Sequence, residues 1–546
     1  MVTSGLKRFT GNIVDVVGRR IFRGEVIVED QRILSISEKD VTGDIFILPG
    51  FIDAHVHVES SMLIPSEFAR VAVTHGTVAT VSDPHEIANV LGIKGVEFMI
   101  ANGKKVPFKF FFGAPSCVPA TPFETAGAVF GLLETEQLLQ NDEILYLSEM
   151  MNYPGVLFEN AEVMGKLALA RKYGKVVDGH APGLKGEDAG KYAAAGITTD
   201  HECFTEEEAL DKIKAGMKIL LREGSAAKNF EALIPLIKTH PQYIMMCSDD
   251  KHPNDLVEGH INLLVKRALL MGYDLFDVLS SCSLNPVKHY NLPVGLLQQG
   301  DYADFILVNN LSDFIVLATY VNGEKVAENG ETHIVSIKEE LPNAFNAKKI
   351  EVEDLKLEFT NKNIRVQRAL DGQLITDSFE AKPLVIDENI VSDTERDILK
   401  MLVMNRYQPT EPAISFINGF GLRHGAIAST VAHDSHNIIA VGTNDEDIAA
   451  AVNLLIDCKG GISLVAEKKH YLLPLPVAGI MSADDAWKVA SDYLKIHLEA
   501  KNLGSSLSAP YMTMSFMALL VIPELKLSDK GLFDGKKFEF ISIYAD

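Results

Sequence analysis

Two histidines one residue apart, His55 and His57, stand at the end of the apolar run FIDAHVHV at 51–58. In an extended strand residues i and i+2 project to the same side, so both imidazoles can face one mouth. Neutral imidazole is the commonest protein ligand for catalytic divalent metals. Two later strand-like runs end in Asp-Gly-His180 and Thr-Asp-His201, and another ends in Asp249. Together these residues make a complete ligand set for a hydrolytic metal centre. Imidazole with carboxylate suits Zn, Fe and Mn alike. Around this set lie residues suited to holding a substrate. In Asp-Pro-His-Glu at 83–86, Pro84 fixes a turn. Asp83, His85 and Glu86 there either ligate metal or hold the substrate, or Asp83 caps the helix beginning near Glu86. Arg222, Glu223 and Ser225 end another run, where they present donors and acceptors to a heterocycle edge or form a rim ion pair. Far downstream, His424, His433, Asp434 and His436 form a dense polar group that either covers the mouth or makes a hydrogen-bonded turn.

These residues need a scaffold that brings distant strand ends together. From 51 to about 290 the chain alternates strand-like runs with helical patterns such as TEEEALDKIKAG. Eight such strands predict a (β/α)8 TIM-type barrel, an α/β fold whose chemistry gathers at the carboxyl ends of the strands. Nearly every run does end in a residue capable of chemistry, including Glu149 in ILYLSEM. Short β-rich runs flank this region, so residues 1–48 and 291–340 are read as one small β-domain around a barrel of 49–290. Residues 341–546 mix strands and helices and are read as a C-terminal α+β domain.

The chain has 546 residues, with 51 Lys and Arg against 74 Asp and Glu, a net −23. Such a charge repels phosphate backbones and anionic membrane surfaces, which argues against nucleic-acid or membrane partners. Its five cysteines include no CxxC pair, which reads as reduced thiols in a cytoplasmic protein. The amino-terminal residues carry no signal-peptide pattern. No P-loop and no GxSxG elbow occurs, and Gly419, Gly421 and Gly425 miss GxGxxG by one position. His57-Val58-Glu59 matches half of the cytidine-deaminase zinc signature, but no PCxxC follows.

The stretch LPGFIDAHVH at 48–57 resembles the opening of the amidohydrolase superfamily barrel. ESSM at 59–62, SDPHE at 82–86, DGHAP at 178–182, CSDDKHPND at 247–255 and GFGLRHGAIASTVAHDSHN at 419–437 resemble, more narrowly, the bacterial adenine deaminase family. The superfamily commonly bridges two metals with a carboxylated lysine on strand four. Here Glu149 stands in that place, either as the bridge or as a proton shuttle. The resemblance implies a binuclear centre, Mn2+ by preference with Fe2+ or Zn2+ as alternatives. Its ligands would be His55, His57, Glu86, Glu149, His180, His201 and Asp249. Asp83, His85, Arg222, Glu223 and Ser225 would hold adenine. The implied reaction is hydrolytic deamination to hypoxanthine and ammonia in purine salvage, with Asp249 and Glu149 moving protons. A homo-oligomer, a dimer, is expected. Two readings compete: a cyclic-amide hydrolase, which the missing strand-four lysine disfavours, and a non-catalytic binding barrel, which would leave the ligand set idle.

Overall fold

The structure is a computed structural model that describes residues 5–522 and 524–545. An eight-stranded sheet joins the two flanks of the barrel. Its amino-terminal strands run from Lys7–Asp15 to Phe46–Pro49, and its later strands from Phe305–Val308 to Glu331–Thr332. Phe46–Pro49 pairs antiparallel with Phe305–Val308, so the chain leaves this sheet, builds the barrel and returns beside its point of departure. Ile13, Val26, Val28, Ile47, Phe305 and Tyr320 fill the core of the sheet.

The barrel strands are β1 (Phe51–Val56), β2 (Thr77–Ser82), β3 (Lys109–Ala114), β4 (Ile144–Met150), β5 (Val176–Gly179), β6 (Thr199–Asp200), β7 (Lys218–Arg222) and β8 (Ile244–Cys247). β1 through β5 pair in parallel, as do β6 through β8. Every residue of β1 and β2 is buried, as expected of parallel strands covered on both faces. The helices between them start where the sequence supplies caps: Asn160 accepts from Glu162 N and Val163 N, and Thr205 from Glu208 N. Two seams complete the ring. Thr198 N donates to Val177 O at 2.9 Å between β5 and β6. Across β1 and β8, Asp249 N donates to His55 O at 3.0 Å and His57 N to Asp249 O at 3.3 Å.

The C-terminal region is a second eight-stranded sheet, antiparallel except where Ile364–Ala369 runs parallel to Ala413–Asn418. Helices Asp445–Cys458 and Ala486–Asn502 accompany it. Within the sheet, Ala426–Ser429 and Ile438–Gly442 pair antiparallel, and the connection between them, residues 430–437, reaches the barrel mouth. Among the described residues no helix is long and apolar enough to cross a membrane.

Asp53 ties β1 to β8 beneath the site. It accepts from Ser248 N at 3.0 Å and from the Ser248 hydroxyl, and its Oδ2 lies 2.8 Å from His260 Nε2. Replacing one member of such a buried polar set leaves the others unsatisfied, at a cost of about 3–5 kcal/mol. Asp53→Ala should therefore lower the thermal unfolding midpoint clearly, measured by calorimetry on the purified variant.

Candidate metal and catalytic centre

Six side chains from five strand ends converge at the mouth. His57 Nε2 lies 3.3 Å from Glu149 Oε1 and 3.2 Å from Asp249 Oδ1, while His55 Nε2 lies 3.4 Å from Asp249 Oδ1. Glu149 Oε2 faces His180 Nδ1 at 2.8 Å and His201 Nε2 at 3.1 Å. All six are buried. The alternation of β1 puts both of its imidazoles inward. His57 Nδ1 lies 3.2 Å from Asp83 O, which orients the ring with Nε2 toward the two acids. Burial pushes the Glu149 carboxyl up, but His180, His201 and His57 outweigh it and hold it well below the usual carboxylate range. Burial likewise raises Asp249, and His55, His57 and Arg222 bring it well below its ordinary value.

The donor set fits a divalent cation. Both ring nitrogens of His55 and Nε2 of His180 are buried without a hydrogen-bond partner among the described residues. Buried polar atoms are rarely left that way unless something binds them. Ligand atoms of His55, His57 and Asp249, and those of His55, Glu149 and His201, lie close enough together to share an ion.

The other candidates divide. Asp83 Oδ1 accepts from His85 N at 3.1 Å and from Ser148 Oγ at 2.7 Å, and Oδ2 lies 3.0 Å from His85 Nδ1. That pairing aims His85 Nε2 toward Glu86 at 3.5 Å and Asp434 at 3.7 Å. Glu86 does not join the Glu149 group: one oxygen meets His433 Nδ1 and the other His436 Nε2. Arg222 Nη1 donates to Asp249 Oδ2 at 3.0 Å, and Nη2 donates to Glu202 Oε2 at 3.1 Å. Glu223 turns away and is held by Arg267 at 2.8 Å and 3.1 Å. The Ser225 hydroxyl donates to Asp255 and accepts from His252 N at 2.9 Å, on the outer side of the 249–252 turn. His424 is exposed.

The sequence reading overlooked several residues of the mouth. Glu202 lies 3.7 Å from His180 Nδ1 and 3.6 Å from His201 Nε2, and its only sequence signal is its place beside His201. Met151, Leu374, Phe516 and Leu519 were also missed and line the mouth, together with Asp250, which the sequence does place beside Asp249 at a strand end. With His433 and Asp434 from the C-terminal region, they line a narrow cleft of about 20 Å3, room for about one water.

This wall is anchored by buried groups. Fully buried Arg406 donates to Ala478 O at 2.6 Å, Asn343 Oδ1 at 3.0 Å and His436 O at 3.3 Å. The guanidinium packs so close to Gly479 (φ 68°) that a Cβ there would lie 2.7 Å from it. On the barrel side, the Ser435 hydroxyl donates to Glu124, whose carboxyl burial pushes up to about 8.

The fold and the donor set together define an amidohydrolase, a metal-dependent hydrolase on a (β/α)8 barrel, and the amidohydrolase family model matches residues 46–326. A second model, the adenine deaminase C-terminal domain, matches residues 373–539. The chain belongs to the adenine deaminase family. The adenine deaminase of Methanosarcina mazei is 53% identical over 554 residues, covering 99% of this chain and 100% of its own length. That of Sulfurovum sp. is 55% identical, covering 97% of this chain and 98% of its own. The relatives include archaea, so the narrower bacterial attribution is not kept. Among solved structures, a β-aspartyl dipeptidase from Fervidobacterium islandicum AW-1 has a TM-score of 0.48 at 15% identity, covering 62% of this chain and 100% of that one.

Glu124 gives this wall a pH signature. A carboxyl whose folded-state pKa is raised favours folding below its unfolded value, near 4.5, and that advantage is lost as pH rises to about 8. The unfolding midpoint of Glu124→Gln should therefore fall less than that of the unaltered chain between pH 5 and pH 8, read as the difference of two thermal-melt series.

Proposed function

We propose that the chain hydrolyses adenine to hypoxanthine and ammonia at this mouth, with Asp249 as the proton carrier. The observation that carries the reading is the convergence of four imidazoles on Glu149 and Asp249, beside a second set of acceptors and donors, Glu86 and His85. His55, His57, His180, His201, Glu149 and Asp249 would hold the metal, proposed as a binuclear centre. A bound divalent cation supplies Lewis acidity and lowers the pKa of a water to about 7. Mn2+ is the proposed ion, with Fe2+ and Zn2+ chemically admissible.

Asp249, ionised and oriented by Arg222, accepts a proton from the water that adds to C6 and delivers it to the departing amine. His85, backed by Asp83, donates from Nε2 to the ring nitrogen as electrons move onto it; when the C–N bond breaks and C6=O forms, the hydroxyl proton on that oxygen is released through Asp249, and a proton returns to His85. That role passes to His85 because both Glu149 oxygens face imidazoles. Glu202, held by Arg222, limits the space beside His180 and His201. Glu223 and Ser225 have no part in holding the base here, since their partners are Arg267, Asp255 and the backbone of His252. Phe516, Leu374 and Leu519 exclude water from the base and leave no room for a ribose. The expected setting is purine salvage in the cytoplasm. The assembly is proposed to be a dimer, for which exposed Val129, Leu133 and Phe158 supply apolar surface.

An ammonia-release assay on adenine, adenosine and hydantoin, with metal analysis of the same sample, tests the reading. Adenine alone should react. Comparable kcat/KM for adenosine would refute the closed pocket, and ring opening of hydantoin would favour the cyclic-amide alternative. Exhaustive chelation should abolish turnover and Mn2+ should restore it best. Asp249→Asn keeps the shape but cannot accept the proton, so kcat should fall by roughly 10²–10⁴-fold with a much smaller change in substrate binding.

A further inference from the structure

Glu86 belongs to the barrel, yet the groups that orient it come from the C-terminal sheet some 350 residues later. His436 Nδ1 accepts the Ala432 backbone N–H at 3.2 Å. That bond leaves the ring proton on Nε2, the atom that meets Glu86 Oε2. The ring cannot readily swing away. Its own carbonyl is bound by buried Arg406, the neighbouring Asn437 Oδ1 accepts from Arg406 N at 3.1 Å, and its backbone sits in the left-handed region at φ 53°. Residues held there persist only when the surroundings enforce it. His433 Nδ1 meets the other oxygen, and its ring stacks on Phe516 at 5.1 Å. Two fixed donors, one on each oxygen, set the plane of the carboxylate. Its remaining lone pairs then face His85 and the cavity.

We infer that His436, with His433 as the second donor, is a positioning residue of the deaminase: from the C-terminal domain it fixes the Glu86 carboxylate as the acceptor that a purine N–H meets. This rests on the adenine-deaminating reading above. His436 touches neither the Glu149 group nor the cavity; it acts through Glu86 alone. A carboxylate locked in plane discriminates between a base that offers an N–H there and one that offers a lone pair or a substituent, because the latter sets a lone pair or bulk against the buried oxygen. The C-terminal domain thereby takes part in substrate recognition, not only in covering the mouth.

The side chains that can replace His436 differ in reach. Gln places an amide N–H where Nε2 stands, whereas Asn falls short. His436→Gln should recover to within about threefold of the unaltered kcat/KM for adenine. His436→Asn should lose roughly 10–100-fold, the range for a hydrogen bond to a charged group. The loss should fall mainly on KM, with hypoxanthine inhibition weakening in parallel and metal content unchanged. At His433 the bonded atom is Nδ1, so the order should reverse: Asn is tolerated and Gln is not. On a Glu86→Gln background, His436→Asn should add little further loss, since the two act as one unit. Equal kcat/KM for the Gln and Asn variants at matched unfolding midpoints would overturn the inference, as would full additivity with Glu86→Gln. If the His436 variants do not fold, the His433 pair decides by its reversed ordering, Asn active and Gln impaired. An unaltered enzyme that releases no ammonia from adenine overturns the reading and the inference together, whereas an active one with indifferent variants overturns only the inference.

Discussion

The backbone of Asp249 closes the barrel. Its N–H and C=O bond the two histidines of β1, so the hydrogen bonds that join the first strand to the last also carry the side chains of the metal centre. Asp249 has φ 53°, in the left-handed region that non-glycine residues rarely adopt. That turn brings its carboxylate back over the seam, within 3.4 Å of His55 and 3.2 Å of His57. Fold closure and ligand geometry are therefore one constraint. A shift of one residue in the β1–β8 register would break the ring and scatter the imidazoles. Asp53, beneath the seam, keeps that register by binding both Ser248 and His260.

Burying this many acids is costly unless each meets a positive or donating partner. The site solves the problem pairwise. Glu149 is ringed by imidazoles, Asp249 and Glu202 share Arg222, Asp83 holds His85, and Glu86 is held from the far domain. The chain's net −23 adds no help, so compensation has to be local.

The barrel was legible because its signals are local and repeated. Most strands are short apolar runs, and nearly every one ends in a residue able to do chemistry. The His55-Val56-His57 spacing spoke for itself, since only the strand period is needed to put both rings on one side. The same period explains what was misjudged. Arg222 and Glu223 are neighbours, so they point oppositely: Arg222 turns inward to Asp249 and Glu202, while Glu223 turns outward to Arg267. Reading them as one substrate-binding pair ignored the alternation. Ser225 lies past the turn, where its hydroxyl serves Asp255. His433 and His436 were visible as a polar group, but their bond to Glu86 spans two domains, and no local pattern encodes it. Glu202 was hidden by its neighbour, because a strand as short as Thr199–Asp200 gives no period from which to read direction.

The narrowness of the cleft has a consequence for what the wall must do. A space of about 20 Å3 holds water or ammonia but not a purine. A bound base therefore requires the wall formed by Leu374, Phe516 and Leu519 to stand further from the barrel than it does here. The two products therefore ask different things of the wall: ammonia needs a gap the size of a water, and hypoxanthine needs the width of a purine.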